Sequence, residues 1–587
     1  MRTFGIYLLY PPKVDLRAQG LGRVLAAFLK EAASRPDVNF VVACPSWMRP
    51  TLKELFDHFA IPSSAIEIIG PRERPLLLKL FEYYEAYQAY KRRPRSSFIR
   101  RFAGTLKRTG SRLATRAGRL AATTHNPLVL AALIVLAAPF AVLAYLVLRI
   151  LPAILSAFKG RRVHRLWTKG QIHFAGLIRK TTRAPQDNNL TLRLYRFMEE
   201  AEARTLNRQI NLRRDVRAWY SPTAFWPQFN GITAPRLICV PDVVLAELPV
   251  GFALVNGQRF LETFEAVGDA IRRGTYFTAY SEATKFDVLV DRYQIAPDLV
   301  AVIPHGASNL DGAIAISGGT DTRRSIDAYC ATLFRMALAK QAGQSDAGRF
   351  GATQFIFYAS QIRPNKNVLN LIRAYRYLLR TRYISHKLVL TGDPQAMPEI
   401  AEYVRQNNLW DDVLFLREIS ERELAACYRL ADLAVNPSLS EGGCPFTFTE
   451  ALSVGTPAVM ARIAVTQEVV TDPELQDMML FDPYDWMDIA RRIEWGLANR
   501  QVLLEKQLPL YQELARRSWS DVVDDYIGLL DKIATSPAGS AIGSLGEVDA
   551  GAEQILSGTF PLDRASSSAP RAVADRDPDS GRSSGPL

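Results

Sequence analysis

The chain has 587 residues, 48% of them hydrophobic, which is too long for one core and apolar enough for at least two. Five scattered cysteines (Cys44, Cys239, Cys330, Cys427, Cys444) form no CxxC pair and no metal-ligand spacing, which argues against a secreted disulfide framework and suits a reducing compartment. The net charge of +13 is confined to one stretch: between Glu85 and Asp187 there are 20 Lys and Arg and no acidic residue, and without them the balance is −7. The natural partners of such a segment are nucleic acid and an anionic membrane.

In chain order, MRTFGIYLLYPP has no signal-peptide cleavage pattern and reads as a first buried strand. PPKVDLRAQGLG follows as a loop, RVLAAFLKEAA as a helix and NFVVAC as a second strand, a β-loop-α-β start. Its Gly20-Leu21-Gly22 turn lies where backbone can approach a ligand, although a tight turn without a ligand fits equally.

The basic insert comes next. Residues 91–120 carry 11 positive charges, and residues 127–148 are an uncharged run of 22, long enough for a spanning helix. Basic residues crowd both ends of the apolar run, against the positive-inside rule for a single span. Pro139 divides the run into legs of 127–138 and 140–158. A monotopic hairpin dipping into one leaflet is the expectation, with a true span as the alternative. Phe98 and Phe102 are the only aromatics among the charges from 91 to 125, and no nucleic-acid reading motif is present, so nucleic acid is not expected as a partner.

After the insert, RAWYSPTAFWP, PRLICVPDVV, YFTAYS and VAVIPHG lead on, the last three reading as short strands that end in Asp242, Ser281 and His305. Open α/β sheets bind ligands at the carboxyl ends of their strands, so these ends line a candidate cleft. Residues 311–350 read as an irregular connector. A second alternation then runs through FIFYAS, a helix from Asn367, KLVLTG, VLFLREI, a helix from Glu421, LAVNPS, a helix from Glu450 and PAVMA. RRSWSDVVDDYIGLLDKIA is an amphipathic closing helix, and the Ser, Gly, Ala and Pro-rich chain from Ser536 reads as disordered.

The expected fold class is therefore α/β, two doubly wound Rossmann-like domains facing a cleft with a basic helical insert. The boundaries are 1–85 and 187–310 for the N-terminal domain, 86–186 for the insert with its hairpin at 126–158, 311–350 for the connector, 351–500 for the C-terminal domain, 501–535 for the closing helix and 536–587 for the tail.

Three strand-end loops of the second domain carry the chemistry. QIRPNKN places Arg363 and Lys366 just after a strand, where Arg can grip a diphosphate bidentately and Lys can act as a point charge; a solvated basic turn is the bland alternative. In EGGCPF, Gly442 and Gly443 allow amides to face a phosphate. Thr447 and Thr449 are candidate caps for a helix beginning near Glu450, whose N-terminus would face the same anion.

With IRPNKNVLNLIRAY, LTGD, LRLADLAVNPSLSEGG and EALSVGTPAV, the chain resembles the donor domain of retaining GT-B glycosyltransferases of the family-four type. The resemblance covers about 350–500 strongly, and 1–60 and 210–306, including VIPHG, more loosely. It implies that Glu450 binds the nucleotide ribose and Glu441 the donor sugar, while Arg363 and Lys366 neutralise the diphosphate. It further implies donor-side positions at Gly442, Gly443, Phe446, Gly392, His305, Gly20 and Gly22, with Asp242 near acceptor or sugar. Two departures stand out: eight residues (GGCPFTFT) separate Glu441 from Glu450, one more than the family's usual spacing, and Pro241-Asp242 stands where many relatives have His-Asp.

The implied activity is metal-independent, cofactor-free transfer of a sugar, with retention, from a nucleotide-diphosphate sugar to a glycan or lipid-linked acceptor in surface polysaccharide or glycolipid synthesis. The expected partners are that donor, that acceptor and an anionic membrane surface. The expected location is the cytoplasmic face of the plasma (inner) membrane. A catalytically silent, membrane-tethered scaffold that binds nucleotide sugar or a partner is the alternative.

Overall fold

The computed structural model describes residues 2–12, 14, 16, 20–80, 124, 126–129, 131–132, 190–242, 244–256, 258–316, 322–341, 353–537 and 539–541. Nearly all of the basic insert and its apolar run, and most of the tail, lie outside the described residues. Among the described residues, no helix is long and apolar enough to cross a membrane.

Two parallel sheets organise the chain. The first has seven strands: β1 (Arg2–Tyr7), β2 (Val38–Ala43), β3 (Ile66–Ile69), β4 (Trp219–Ser221), β5 (Arg236–Cys239), β6 (Tyr276–Ala279) and β7 (Val300–Val302). Their spatial order is β3-β2-β1-β4-β5-β6-β7. The short apolar runs, buried on both faces as in FGIY and VVA, are the pattern a covered parallel sheet demands. β1 pairs with β2 on one side (Gly5 opposite Val41) and with β4 on the other (Gly5 opposite Trp219). The segments before and after the insert thus share one sheet.

The second sheet has six strands, β8 (Phe355–Tyr358), β9 (Lys387–Thr391), β10 (Val413–Leu416), β11 (Leu433–Asn436), β12 (Ala458–Ala461) and β13 (Leu480–Phe481), ordered β10-β9-β8-β11-β12-β13. Both sheets reverse their strand order once, between β1 and β4 and between β8 and β11. Such switch points open the crevice in which doubly wound folds bind ligands.

The helices that matter for the site are α1 (Gly20–Ala32), α2 (Pro249–Asn256), α3 (Thr322–Gln341), α4 (Val368–Thr381), α5 (Pro398–Gln406), α6 (Phe446–Ser453), α7 (Ala464–Val469), α8 (Trp486–Ala498), α9 (Arg500–Arg516) and α10 (Trp519–Thr535). Four differ from the sequence expectation. α1 begins at Gly20, three residues before the predicted helix, so the Gly20-Leu21-Gly22 stretch is helical and not a turn. The connector is not irregular: α3 occupies its middle and buries Cys330, Leu333, Phe334, Ala337 and Leu338 against the second core, an apolar stripe at helical spacing. α6 starts at Phe446, behind Pro445, whose fixed φ suits a helix entry, and not at Glu450. The closing segment is two helices, not one.

The second of these, α10, crosses to the first domain. Val522, Val523, Tyr526, Leu529, Leu530 and Ile533 join the core of the seven-stranded sheet. The Tyr526 ring packs edge-on against Phe28 at 5.5 Å, and Arg35, just after α1, reaches Asp524 at 2.8 Å. The first residues of the predicted tail are also held, since Tyr276 Oη donates to the Pro537 carbonyl and accepts from Gly539 N, both at 3.0 Å.

Candidate functional site

The loops leaving β8 and β11 meet at the second switch point. Leu439 N donates to the Asn365 carbonyl at 2.8 Å, tying one loop to the other. On them Lys366 Nζ contacts Glu441 Oε1 at 2.5 Å, each side chain about one-fifth exposed (21% and 20%). Burial pulls the Lys366 ammonium down, but Glu441, Tyr358 and Asp242 outweigh it, and its pKa ends above the ordinary value. Arg363 stands two residues ahead of Asn365 and donates to Gln361; burial lowers its pKa, and the Asp242 charge opposes that. Gly392, after β9, backs this loop with φ +100°, a conformation that favours glycine. A Cβ there would sit 3.1 Å from the Ser360 carbonyl oxygen.

Gly442 and Gly443 face the first domain. The Gly442 carbonyl accepts from Ser281 Oγ at 2.9 Å and Thr284 Oγ1 at 3.1 Å. A Cβ on Gly442 would fall 1.4 Å from the Pro241 carbonyl oxygen, and one on Gly443 would be 2.8 Å from Tyr280 Cβ. No side chain fits at Gly442 while the two domains touch. Asp242, next to Pro241, is exposed toward the cleft; the protein packed around it pushes its carboxyl pKa up, with Lys366 opposing and Glu441 reinforcing the rise.

At the first turn of α6, Phe446 is gripped from the other domain. The His305 ring lies 4.3 Å from it and the Arg23 guanidinium 5.7 Å. Desolvation lowers the His305 pKa, partly offset by backbone hydrogen bonds to Gly306 and Cys444. Cys444, in the same loop, is pushed up to about 12 by burial and is held as a thiol.

Glu450 follows one turn on, its side chain 2% exposed. Its Oε1 accepts from Arg23 Nη1 at 2.7 Å and from Ser308 Oγ at 3.4 Å. Thr447 and Thr449 are not caps. Thr447 Oγ1 accepts from Asn436 Nδ2 at 3.0 Å, while Thr449 Oγ1 accepts from Ser308 N at 3.1 Å and donates to the Phe446 carbonyl. The earlier helix start leaves these threonines inside the first turns, where their hydroxyls serve neighbours.

Of the predicted positions, the structure brings Arg363, Lys366, Glu441, Gly442, Gly443, Phe446, Glu450, Asp242 and His305 to one cleft, with Gly392 supporting it from behind. Gly20 opens α1 with no heavy atom within 4 Å of a built Cβ. Gly22 is explained by packing, because its Cβ would meet the Leu16 carbonyl oxygen at 1.8 Å.

Sequence reasoning placed Ser281 at the cleft but missed Arg23, Thr284, Ser308 and Glu468. Glu468, on α7, accepts from Glu282 N at 2.9 Å and Ala283 N at 3.0 Å across the cleft. Arg23 had a legible signal: a cation in the first turn of a helix opposes the helix dipole and needs a partner elsewhere. Thr284 and Glu468 had none, because their partners are backbone groups brought near only by folding. Among the described residues, no three His, Cys, Asp or Glu side chains gather as metal ligands.

The family Glycosyl transferases group 1 matches residues 343–514. The serotype-specific mannosyltransferase WbdA of Escherichia coli is 26% identical over 297 residues, covering 49% of this chain and 34% of that protein. The lipopolysaccharide 1,2-N-acetylglucosaminetransferase of Salmonella typhimurium is 28% identical over 180 residues, covering 29% of this chain and 46% of that protein. The chain thus spans less than half the length of either relative. The crystal structure of HepE from Anabaena, in complex with UDP and glucose, aligns at 13% identity with a TM-score of 0.48, over 90% of this chain and 98% of that one. The stretch that matches the glycosyl transferases group 1 family, residues 343–514, holds Arg363, Lys366, Glu441 and Glu450.

Proposed function

We propose that the protein is a retaining, metal-independent glycosyltransferase that moves a sugar from a nucleotide-diphosphate sugar to a glycan or lipid-linked acceptor in surface polysaccharide synthesis. The observation that carries this reading is the meeting, at the facing switch points of two parallel sheets, of Lys366, Glu441 and the buried Glu450.

In this reading Glu450 accepts from the ribose hydroxyls through Oε2, since Oε1 is already engaged by Arg23 and Ser308. Arg363, Lys366 and the amides opening α6 take the diphosphate. Glu441 is held beside them by Lys366 and receives the sugar hydroxyls. Transfer breaks the bond from the sugar C1 to the diphosphate oxygen and forms one to the acceptor oxygen on the same face, with the acceptor's hydroxyl proton passing to the released diphosphate. Fixed cations at the leaving oxygens favour the charge that develops there. The two relatives are named for mannosyl and N-acetylglucosaminyl transfer in serotype and lipopolysaccharide contexts, which supports a surface glycan as product.

The membrane reading is part of the proposal. β1 bonds to β2, ahead of the insert, and to β4, after it, so both flanks lie on one side of any bilayer. That supports a re-entrant association at the cytoplasmic face over a single crossing, with each basic residue near an anionic leaflet adding roughly 1 kcal/mol. Deleting 126–158 should make the protein salt-extractable from membranes.

The direct test is a donor screen with purified protein over UDP-, GDP- and ADP-sugars, mannosyl and N-acetylglucosaminyl donors included, reading nucleotide release. Calorimetry with the matching nucleotide diphosphate should show affinity lowered by about tenfold or more in Arg363→Ala and Lys366→Ala, the loss expected for charged hydrogen bonds. Nucleotide binding without release from any donor would favour the scaffold alternative. Unchanged nucleotide affinity in both variants would place the phosphates elsewhere.

A further inference from the structure

Helix α4 runs from the cleft to the far side of the second domain, and its outer face carries Arg373, Arg376 and Arg380, with Tyr377 between them. The spacing of three and four residues stacks the three guanidinium groups along one stripe, where like charges repel. Tyr403 from α5 and Trp486 from α8 wall this stripe on either side, enclosing a groove of about 310 Å³. The Arg373 guanidinium lies 5.9 Å over the Tyr403 ring, and Tyr377 meets Trp486 at 6.0 Å. All three aromatic rings are half-buried, each leaving part of its surface open.

The charge on the stripe is not answered locally. Arg373 bonds Asn370 Oδ1 at 3.1 Å, and neither Arg373 nor Arg376 forms an ion pair among the described residues. Arg380 reaches Asp412 only at 3.5 Å, and that carboxylate is held by Lys387 at 2.6 Å. The other nearby acids are engaged elsewhere: Glu402 by Arg405, Glu494 by Arg382, and Asp485 and Asp488 by Arg491. The groove therefore keeps uncompensated positive charge between aromatic walls.

We propose that this groove is a second saccharide site, binding an acidic glycan outside the donor cleft. Guanidinium forks match carboxylates bidentately, and the electron-rich ring faces of Tyr403, Tyr377 and Trp486 take the C–H faces of pyranose rings. A lipid headgroup layer supplies anions too, but in a plane; a concave groove with ring walls fits a saccharide. Arg373 lies six residues from Asn367, the residue before α4, about 9 Å along the helix axis, so a glycan bound here would lie close to the cleft mouth.

The test uses the full-length protein and calorimetric titration with a hyaluronan hexasaccharide, a uronate-bearing probe, against neutral maltohexaose. The acidic probe should bind at least tenfold more tightly than the neutral one. The double variant Arg373→Gln/Arg376→Gln should weaken it by about tenfold or more, and Tyr403→Ala should weaken it by about fivefold or more, the stacking contribution. Titrating a nucleotide diphosphate into each variant confirms an intact second domain, so failure here leaves the donor-site reading standing. No binding of the acidic probe, equal binding of the neutral one, or loss with the arginines but none with Tyr403 would overturn the proposal. So would arginine-dependent binding to phosphatidylglycerol vesicles with none to the hexasaccharide.

Discussion

The two domains build their halves of the cleft in different ways. In the second, Arg363, Lys366, Glu441 and Glu450 all come from the segments that follow β8 and β11, within residues 363–450. In the first, the contacting residues come from Arg23, Pro241, Ser281, Thr284, His305 and Ser308, segments separated by the insert and by the six strands β2 to β7. The second domain carries its chemistry as local motifs; the first carries its share as contacts that exist only after folding and closure. The difference predicts that variants of the charged groups on the second side abolish donor binding itself, whereas variants at the contacts between the domains loosen closure around a site that still forms.

Glu450→Ala is the strongest attempt to break that division. It removes a buried carboxylate and leaves Arg23 unpaired, and a loss of about 1.5–3 kcal/mol for each charged hydrogen bond corresponds to about 10- to 150-fold in kcat/KM. Wild-type turnover in a folded Glu450→Ala protein would remove Glu450 from the donor site.

Gly442→Ala tests closure without touching charge. The added methyl would overlap the Pro241 carbonyl, and overpacking of about 1–3 kcal/mol separates the domains at this point. Turnover should fall by about tenfold or more while nucleotide diphosphate still binds. Parallel loss of both would mean that the second domain's site depends on contact with the first.

Arg23→Ala sharpens the comparison from the other side. Its guanidinium is partly exposed, at 38%, so the pair is screened and a donor KM increase of only about fivefold is expected, with kcat changed less. Arg23→Lys should recover part of the affinity, since it keeps the charge and loses the fork. An unaltered KM in Arg23→Ala would mean that Glu450 needs no help from the first domain.

The smallest effect is on pH dependence. A His whose pKa is lowered on folding stabilises the folded state fully above its unfolded value, about 6.5, and that contribution disappears as pH falls below it toward the folded pKa. Asp242 has the opposite sign, because its raised pKa favours the folded state as pH falls into the carboxylate range. Glu441 and Arg517 also face the imidazole, the first raising its pKa and the second lowering it. The melting temperature of the wild type should drop more between pH 7.5 and 5.5 than that of His305→Gln. Equal drops would mean that the imidazole is not desolvated at the interface.

The legibility of the site follows the same division. Arg363, Lys366, Glu441 and Glu450 were readable together because their motifs resemble those of a known donor domain, whereas the cation pair alone also fits a solvated basic turn. The alternation of short apolar runs with amphipathic stretches likewise made two doubly wound sheets readable. Boundaries were less so: Pro445 moved the start of α6 four residues forward, and three glycine-region residues of α1 proved helical because Gly22 packs on Leu16. α3 was hidden in a polar sequence whose apolar positions are sparse but correctly spaced. Arg23 and Glu468 escaped because their partners lie 427 residues and 185 or 186 residues away in the chain.

The position of α10 bears on how the protein is made. The seven-stranded sheet begins with the second residue of the chain, yet its core closes only when Tyr526, Leu529 and Ile533 pack against it, after the whole second domain has been threaded out. Domains fold as units during synthesis. The second domain therefore has all of its strands and α9 before the first domain receives its last helix. On the ribosome, the domain started first is completed last, and until then the apolar surface beneath α10 is left for chaperones or for other chains to meet.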